Sequence, residues 1–344
     1  MNGSLQTGQT LKAFLSVSAP ESLARVLMAI GATAISLAQV IRLGQLSAEP
    51  NAEVGPAHDG VAQKALDVLA DDYYLSGLKT AEVRAVLSEE RDEPTLLDPA
   101  GAFLVAIDPL DGSNNIDANV SIGTLFSVLD AQPEPVASGH FLQHGEKQRA
   151  GGFVLFGPQT VFVFTVGSGV HMAILDPRAD AFHMARIGAR IVEATPEFAI
   201  NVSNFRHWPP PVRAYVEDCL EGAEGPRSRN LNMRWVGSVV ADVYRILVRG
   251  GVYLYPQDSR DGYEHGRLRL LYEANPIAFL IEQAGGAAID GFQRILEIAP
   301  RSLHMRTPLI FGSTDKVARI ERYYREGAVL ERAPLFVKRG LLRR

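Results

Sequence analysis

The alternation of apolar and polar positions predicts a chain that begins with helices, continues as a run of strands and ends in mixed helix and strand. A nearly all-apolar stretch predicts a helix over residues 22–43, and a second helix is predicted over 59–75. Apolar runs separated by turns that contain Gly and Pro predict strands over 124–129, 152–156, 161–166 and 170–175. The short turns between the last three strands are typical of an antiparallel meander.

The pattern changes near residues 190–200, where the meander gives way to alternating helix and strand. Helices are predicted over 209–220, 239–249, 275–284 and 314–326, and strands over 198–201, 250–256 and 304–313. Because two kinds of periodicity meet at this change, we expect two domains. The expected limits are an N-terminal domain over 1–192, a C-terminal α/β domain over 193–330 and a basic tail over 331–344.

Composition and charge set the broad class of the protein. The 344 residues are 47% hydrophobic and 21% charged, which is typical of a globular protein and excludes disorder on a large scale. A net charge of −5 is not the signature of a nucleic-acid-binding protein, so no nucleic-acid partner is expected. Any anionic ligand must therefore be held by local positive charge.

Cysteine usage and the first long helix indicate the compartment. Cys219 is the single cysteine, which excludes an internal disulfide and a zinc site built on cysteines. The uncharged run Val26–Ile41 spans 16 residues, too few to cross a membrane, and Arg25 and Arg42 border it. We expect a buried helix in a cytoplasmic protein that has no membrane partner.

Candidate chemistry begins where the apolar run 103–107 reaches two carboxylates, Asp108 and Asp111. Pro109 lacks the N–H group that would continue a strand, so the strand is predicted to end there and the chain to turn tightly. Such a turn can direct both carboxylates and the carbonyl of Leu110 to one point. These hard oxygen ligands favour Mg²⁺ or Mn²⁺.

Gly112 and Ser113 follow these acids directly in the chain. Backbone amides at the start of a helix bind phosphate oxygens, so these two residues predict an anion site beside the cation site. Taken alone, however, the D-P-x-D string is explained equally well by an ordinary Asp-Pro turn that caps a strand.

Three further acids could complete such a site. The short apolar strand predicted before Glu89 and Glu90 ends in acids, as does the strand before Asp108. Two neighbouring strands that both end in acids would form a cation pocket. Asp67 lies among apolar residues of the second predicted helix. Because acids are seldom buried, solvated glutamates and a surface aspartate are the simpler interpretations of these residues alone.

The string from Asp108 to Asp117, D-P-L-D-G-S-N-N-I-D, resembles the metal-binding signature of class I fructose-1,6-bisphosphatases of the bacterial type, in the Mg²⁺-dependent sugar-phosphatase superfamily. Other segments resemble that family in the same order along the chain, and they are 63–71, 88–90, 198–204, 234–238, 267–276 and 304–313. The resemblance covers about residues 20–326. It implies a layered α/β/α/β/α sandwich of two domains, a sugar-bisphosphate substrate and a homotetramer.

The resemblance also implies a reaction and a role for each matched residue. The reaction is hydrolysis of the 1-phosphate of fructose 1,6-bisphosphate by in-line attack of water, in gluconeogenesis or the Calvin cycle. The implied ligands of two or three Mg²⁺ ions are Glu89, Asp108, the carbonyl of Leu110, Asp111 and Glu273. The residues that orient or deprotonate the attacking water are Asp67 and Glu90. The substrate is held by Gly112, Ser113, Asn201, Arg234 from a neighbouring subunit, Tyr255 and Arg267.

Several of these residues have ordinary interpretations without the resemblance. Asn201 is then a turn residue, and Arg234 is a surface arginine beside an aromatic ring. Tyr255 is then a residue of the core or its rim. Glu273 is then an acid that compensates the dipole in the first turn of a helix.

The chain departs from the family pattern at several positions. Val61 lies where the family generally has an acid, and Arg267 replaces a phosphate-binding Lys. Asn204 and Trp235 replace tyrosines. The segment from Ser18 to Glu21 lacks the Thr-Gly-Glu of the mammalian AMP site, so we expect weak or absent AMP inhibition by that route.

Three alternatives to this function stay open. A dual fructose and sedoheptulose bisphosphatase has the same chemistry and the same two phosphates to bind. An inositol monophosphatase would have little use for the pair Arg234 and Arg267. A non-catalytic regulator that binds metal or sugar phosphate would be expected to have lost a ligand, whereas every matched acid of the metal site is present.

Overall fold

The computed structural model describes residues 8–43, 53–56, 62–132 and 137–326. The expectations about the acid missing at Val61 and about the basic tail concern residues outside these ranges. The helices are α1 Leu11–Ser18, α2 Glu21–Leu43, α3 Ala65–Leu78, α4 Pro210–Leu220, α5 Val239–Arg249, α6 Asn275–Gln283 and α7 Thr314–Glu326.

The strands form one large sheet, one smaller sheet and two short pairs. Those of the N-terminal part are β1 Glu53–Pro56, β2 Ala62–Lys64, β3 Val83–Ser88, β4 Thr95–Leu96, β5 Phe103–Asp111, β6 Ile122–Asp130, β7 Gln148–Phe156, β8 Thr160–Thr165, β9 Val170–Asp176 and β10 Ala181–Ala189. Those of the C-terminal part are β11 Glu197–Ala199, β12 Asn232–Met233, β13 Val252–Tyr255, β14 Leu268–Arg269, β15 Ala287–Ile289, β16 Arg306–Thr307 and β17 Leu309–Gly312.

The two sheets alternate with three helical layers. The eight-stranded sheet has the order β10-β9-β8-β7-β6-β5-β3-β4, and one of its faces packs on α1, α2 and α3. Its other face packs on α5 and α6, which also cover one face of the five-stranded sheet β12-β11-β13-β17-β15. The outer face of that second sheet packs on α4 and α7. The predicted α/β/α/β/α sandwich is therefore confirmed.

Alternation along the strands explains how each sheet serves two cores. In β13, Val252 and Leu254 face α4 and α7, whereas Tyr253 faces α5 and α6. In β8, Phe162 belongs to the core beneath α2, and Val163 belongs to the central core. Successive side chains of a strand point to opposite faces, so strands buried on both sides read as continuous apolar runs.

Several local predictions about helices and strands were wrong or incomplete. The second predicted helix begins at Ala65, and residues 62–64 before it form a strand. Helix α1 and strand β10 were not predicted. The alternating segment after Arg267 is a strand only at Leu268–Arg269, and residues Leu270–Ala274 then form a π-helical turn that leads into α6. The predicted meander is confirmed, since β7, β8 and β9 pair antiparallel in sequence.

Helix α2 contains the apolar run that bears on the question of a membrane. Its 23 residues include an 18-residue window with a mean hydropathy of 1.8, so by length and composition the helix could cross a membrane, and the 16-residue run understated its length. Its buried residues include Leu27, Ile30 and Leu37, each 0% exposed in the core beneath the large sheet. This packing is typical of a core helix.

Candidate active site

A cavity of about 270 Å³ lies between the two sheets, and most of the predicted site residues line it. Those that do are Asp67, Glu89, Glu90, Asp108, Leu110, Asp111, Gly112, Ser113, Tyr255, Arg267 and Glu273. Asn201 lines a second, smaller cavity that shares Tyr255 and Arg267 with the first. Arg234 lines neither cavity.

Two adjacent strands bring acids to one edge of the large sheet. Strands β3 and β5 are parallel, with Ser88 opposite Ile107. The N–H of Glu89 donates to the carbonyl of Ile107 at 3.0 Å, so Glu89 lies level with Asp108. The C-terminal ends of the two parallel strands thus place these carboxylates at the same edge of the sheet. The acids at the ends of the two apolar runs predicted this arrangement.

The strand that carries Asp108 does not end there, contrary to prediction. Strand β5 continues to Asp111, and its register against β6 shifts between these two residues. Pro is tolerated at such a bulge because the extra residue makes no ladder hydrogen bond. Residues three apart would point to opposite faces of a regular strand, whereas the bulge lets both carboxylates line one cavity.

A buried chain of hydrogen bonds supports the bulge. The hydroxyl of Tyr74 on α3 donates to Thr124 Oγ1 at 2.9 Å, and the Thr124 hydroxyl donates to the carbonyl of Pro109 at 2.9 Å. The N–H of Leu110 donates to Asp108 Oδ1 at 3.0 Å. Both bonds of the chain are buried, so helix α3 and strand β6 hold the bulge in one shape.

Glu273 completes a cluster of three carboxylates. It lies in the π-helical turn, and its carboxylate accepts a hydrogen bond from the N–H of Arg269. One oxygen each from Asp108, Asp111 and Glu273 lie within 4.8 Å of one another. Carboxylate oxygens at these separations could hold a hard divalent cation.

The charges of this cluster repel one another. Burial raises the pKa of Asp111 to about 7, with a further contribution from Glu89. Burial and the neighbouring acids, Glu89 first, also raise the pKa values of Asp108 and Glu273 well above their ordinary range. Like charges in a desolvated site disfavour ionisation, so binding of a cation would favour the ionised form of these carboxylates.

The donor set fits divalent cations of the Mg²⁺ type. Asp111 Oδ2 is buried and has no hydrogen-bond partner in the described ranges. Six carboxylates line the cavity against three arginines, which are Arg267, Arg269 and Arg306. Arg269 Nε lies 3.8 Å from Glu89 Oε1, so part of one carboxylate's charge is already balanced. The surplus of oxygen ligands is the chemistry that Mg²⁺ and Mn²⁺ bind.

A cradle of backbone amides lies beside the acids. Gly112 has φ 79°, a conformation that favours glycine, and it begins the short helix Ser113–Asn115. The Asn115 side chain donates to the carbonyl of Gly237 at 3.1 Å, which ties this loop to the N-terminus of α5. The N–H of Val240 in the first turn of α5 donates to Asp111. Two helix starts therefore face the cavity, and the N–H groups of a helix start favour phosphate binding.

The two residues predicted to act on water approach from different elements. Asp67 lies in the first turn of α3 and is buried. Glu90 follows β3, and its N–H donates to Ser88 Oγ at 3.2 Å. Arg91 joins these elements, because its Nε donates to Asp71 Oδ2 on α3 at 2.6 Å. This ion pair fixes the spacing between α3 and the end of β3.

The second cavity is lined by polar and aromatic groups. Asn201 Oδ1 accepts hydrogen bonds from the N–H of Ser203 at 3.2 Å and from its hydroxyl at 2.6 Å. Two guanidinium groups pack on the ring of Tyr263, with their Cζ atoms 4.2 Å (Arg260) and 4.7 Å (Arg267) from the ring centroid. The guanidinium group of Arg267 is thus held over the ring of Tyr263, while the Arg267 side chain remains exposed.

Arg234 lies apart from both cavities of its own chain. Its side chain is exposed, and its Nη1 donates to the carbonyl of the preceding Met233 at 3.2 Å. Met233 and Val236 beside it are also exposed, at 40% and 41%. A single subunit therefore does not bring Arg234 to the other predicted residues.

Sequence reasoning missed some residues that line the cavity. Arg269 is buried beside Glu89, and the hydroxyl of Ser238 is buried without a partner among the described residues. The alternation after Arg267 predicts that Arg269 lies on the same face as Arg267. This pattern could have identified Arg269 as a residue of the site. No local pattern distinguishes Ser238 from an ordinary helix cap.

Comparisons with known proteins agree with this fold and site. The family model described as fructose-1-6-bisphosphatase, N-terminal domain, matches residues 9–186, and the model of the C-terminal domain matches residues 191–325. A class 1 fructose-1,6-bisphosphatase of Sinorhizobium medicae is 50% identical over 98% of this chain and 99% of its own. One of Paracoccus denitrificans is 51% identical over 94% of this chain and 96% of its own.

A solved structure shows the same architecture. The holo form of Leishmania major fructose-1,6-bisphosphatase superimposes with a TM-score of 0.87 at 30% identity, covering 93% of this chain and 100% of its own. The chain therefore belongs to the fructose-1-6-bisphosphatase family, whose members are phosphatases. The predicted family and enzyme class are confirmed.

Proposed function

We propose that this chain hydrolyses the 1-phosphate of fructose 1,6-bisphosphate to give fructose 6-phosphate and phosphate, with Mg²⁺ as the cofactor. The observation that carries this proposal is the cluster of Asp108, Asp111 and Glu273, with carboxylate oxygens within 4.8 Å of one another in the cavity. Relatives named fructose-1,6-bisphosphatase match this chain over nearly their whole length.

The proposed metal ligands are Glu89, Asp108, the carbonyl of Leu110, Asp111 and Glu273. Bound divalent cations would supply Lewis acidity, lower the pKa of a water molecule and neutralise the leaving oxygen. Two or three ions would balance the surplus of carboxylates around the cavity.

The protein groups around the reacting phosphate have separate tasks. Asp67 and Glu90 orient the attacking water and accept its proton. The amides of Gly112 and Ser113 donate to the oxygens of the 1-phosphate, as the positive φ of Gly112 favours. Because these donors are backbone groups of a bulged and braced segment, they are held in place before the substrate arrives.

The second phosphate is bound away from the chemistry. Asn201, Tyr255 and Arg267 line the smaller cavity that adjoins the first, which supports a role in holding this phosphate. A planar guanidinium group suits a phosphate because it can donate two parallel hydrogen bonds. Binding energy from this remote group positions the reacting phosphate.

Arg234 would act from a neighbouring subunit of a homotetramer. The exposed side chains of Met233, Arg234 and Val236 support an interface at this surface. A guanidinium group crossing that interface would reach the second phosphate of the adjacent site. We propose a cytoplasmic enzyme, since α2 packs within the core beneath the large sheet.

The test is phosphate release from fructose 1,6-bisphosphate, sedoheptulose 1,7-bisphosphate and inositol 1-phosphate, each with and without Mg²⁺. We expect Mg²⁺-dependent release from fructose 1,6-bisphosphate and little from inositol 1-phosphate. Comparable release from sedoheptulose 1,7-bisphosphate would identify a dual enzyme. Metal-independent release, or a preference for inositol 1-phosphate, would contradict the proposal.

A further inference from the structure

A second group of polar side chains lies outside the active-site cavities, where α4 packs against α7. Tyr215 on α4 and Tyr323 on α7 meet edge to face, with ring centroids 5.9 Å apart. The hydroxyl of Tyr323 donates to the buried carboxylate of Asp218. Lys316 precedes Tyr323 by two helical turns, so periodicity places both on the face of α7 that meets α4.

Two cationic hydrogen-bond donors at this contact are buried without a partner in the described ranges. They are Lys316 Nζ and Nη1 of Arg227, whereas the Tyr215 hydroxyl is paired with the thiol of Cys219. Lys316 and Tyr215 are 2% and 0% exposed, and Arg227 lies over the Tyr215 ring, 5.2 Å from its centroid. An unpaired buried donor is costly, so two at one contact indicate an acceptor that the described residues do not supply.

The uncompensated charges at this contact are positive. Lys316 lies in the first turn of α7, where the helix N–H groups already carry partial positive charge. Burial, together with the nearby Arg229 and Arg227, lowers the pKa of Lys316 to about 8. Asp218 is the buried carboxylate at this contact, and it already accepts the hydrogen bond from Tyr323.

We propose that the α4–α7 contact binds a small oxyanion of the phosphate type, held by Lys316 and Arg227. Ammonium and guanidinium groups are donors that suit such an anion, and guanidinium groups can bind it with two parallel bonds. Arg227 is half-buried and Arg229 is exposed, so the arginines form the solvent side of this anion site and Lys316 forms its floor.

A crystallographic experiment tests the position of the ligand. Crystals of the full chain and of the Lys316→Met variant are soaked in selenate, and anomalous maps are compared. We expect a selenium peak within hydrogen-bond distance of Lys316 Nζ in the wild type, and none there in the variant. A wild-type map with no peak at Lys316, under conditions that fill the active site, would overturn the proposal.

A solution experiment tests the same site without a lattice. Sulfate stabilises proteins generally, so the informative quantity is the difference between variants in the rise of Tm from chloride to sulfate at equal ionic strength. We expect the wild type to gain about 2 °C or more beyond Lys316→Met. The exposed control Lys79→Met should keep the full gain. Equal gains in the wild type and Lys316→Met would overturn the site.

Lys316→Met also separates a ligand site from a merely structural lysine. Because methionine removes a buried charge at similar length, the variant in chloride should be at least as stable as the wild type. A Tm in chloride several degrees lower would show that Lys316 has an internal partner, which contradicts the proposal.

The source of the anion is decided by equilibrium dialysis with inorganic phosphate and with glycerol 3-phosphate, using the wild type and Lys316→Met. Equal Lys316-dependent affinities identify the free anion as the ligand. An affinity about tenfold higher for glycerol 3-phosphate identifies a phosphorylated metabolite. Absence of any Lys316-dependent binding of either probe would overturn the proposal.

Discussion

In the acid half of the active site, Asp108 and Glu273 are buried and Asp111 is half-buried, and the three carry like charges. The arginine half, formed around Arg267, is exposed and stacked on the ring of Tyr263. Burial and mutual repulsion raise the pKa values of the acids, whereas an exposed guanidinium group keeps much of its hydration.

This difference sets the size of the effects expected on each side. A desolvated cluster of like charges depends on cations, so removing one ligand should remove most of the catalytic power. A stacked, hydrated arginine contributes a smaller binding energy, and neighbouring residues also contribute to binding the same phosphate. Substitutions in the two halves should therefore separate kcat from KM.

The largest effect is expected for Asp111→Asn. The amide keeps the shape of the side chain but removes a charged metal ligand, so kcat/KM for fructose 1,6-bisphosphate should fall by at least about 1,000-fold, or about 4 kcal/mol. The measurement is phosphate release over a range of Mg²⁺, with thermal unfolding as the control for folding. Retained turnover at saturating Mg²⁺ would contradict the metal assignment.

In the arginine half, Arg267→Ala should raise KM for the bisphosphate about 10- to 100-fold with a small change in kcat. A hydrogen bond to a charged group is worth about 1.5–3 kcal/mol, which corresponds to that range. Arg267→Lys is the matched control, since it keeps the charge and loses only the planar fork. Steady-state kinetics on bisphosphate and monophosphate substrates make the comparison. A fall confined to kcat would contradict a binding role.

Arg234→Ala should raise KM for the bisphosphate by about tenfold, because one remote charged contact is lost. A monophosphate substrate should be almost unaffected, since it lacks the second phosphate. Kinetics on the two substrates, with sedimentation to show that the oligomer is intact, make this test. Equal effects on both substrates would remove the proposed role of Arg234.

Asp242 lies in the first turn of α5, and it predicts a pH dependence of stability. Its buried carboxylate accepts hydrogen bonds from the N–H groups of Val236 and Gly237, and burial raises its pKa to about 6. The folded state then holds a proton that the unfolded state releases near pH 4. The free energy of unfolding should therefore fall as pH rises from about 4 to about 6.

The isosteric variant Asp242→Asn removes this titration. Between pH 5 and pH 7, the wild type should lose about 1.4 kcal/mol of unfolding free energy relative to the variant. Urea denaturation of both proteins at each pH measures this difference. Parallel stability curves would show that the carboxyl has an ordinary pKa in the folded protein.

The smallest effect is expected for Tyr263→Leu, which removes the ring beneath Arg267. A cation–π contact of about 0.5–1 kcal/mol corresponds to a rise in KM of about two- to fivefold. Tyr263→Phe keeps the ring and should behave as the wild type. Combined with Arg267→Ala, Tyr263→Leu should add no further loss. An equal loss in that background would show that Tyr263 acts independently of Arg267.

The sequence pattern was sufficient to predict those elements whose structure depends on neighbouring residues in the chain. Helix α5 begins and ends at the predicted residues, because apolar positions repeat with the helical period from Val239 to Arg249. Strands β3 and β5 were predicted from apolar runs that end in acids. Periodicity did not reveal that β5 continues past Pro109, because a bulge depends on how β6 pairs with it.

The sequence by itself determined which chemical groups are present and in what order: the acids at two strand ends, the glycine that follows them and the arginines after β13. Tertiary structure alone decided that Glu273 meets Asp108 and Asp111, that Arg269 lies beside Glu89, and that Arg234 stays apart. The reason is physical, since desolvation and like-charge repulsion arise only when distant segments pack together.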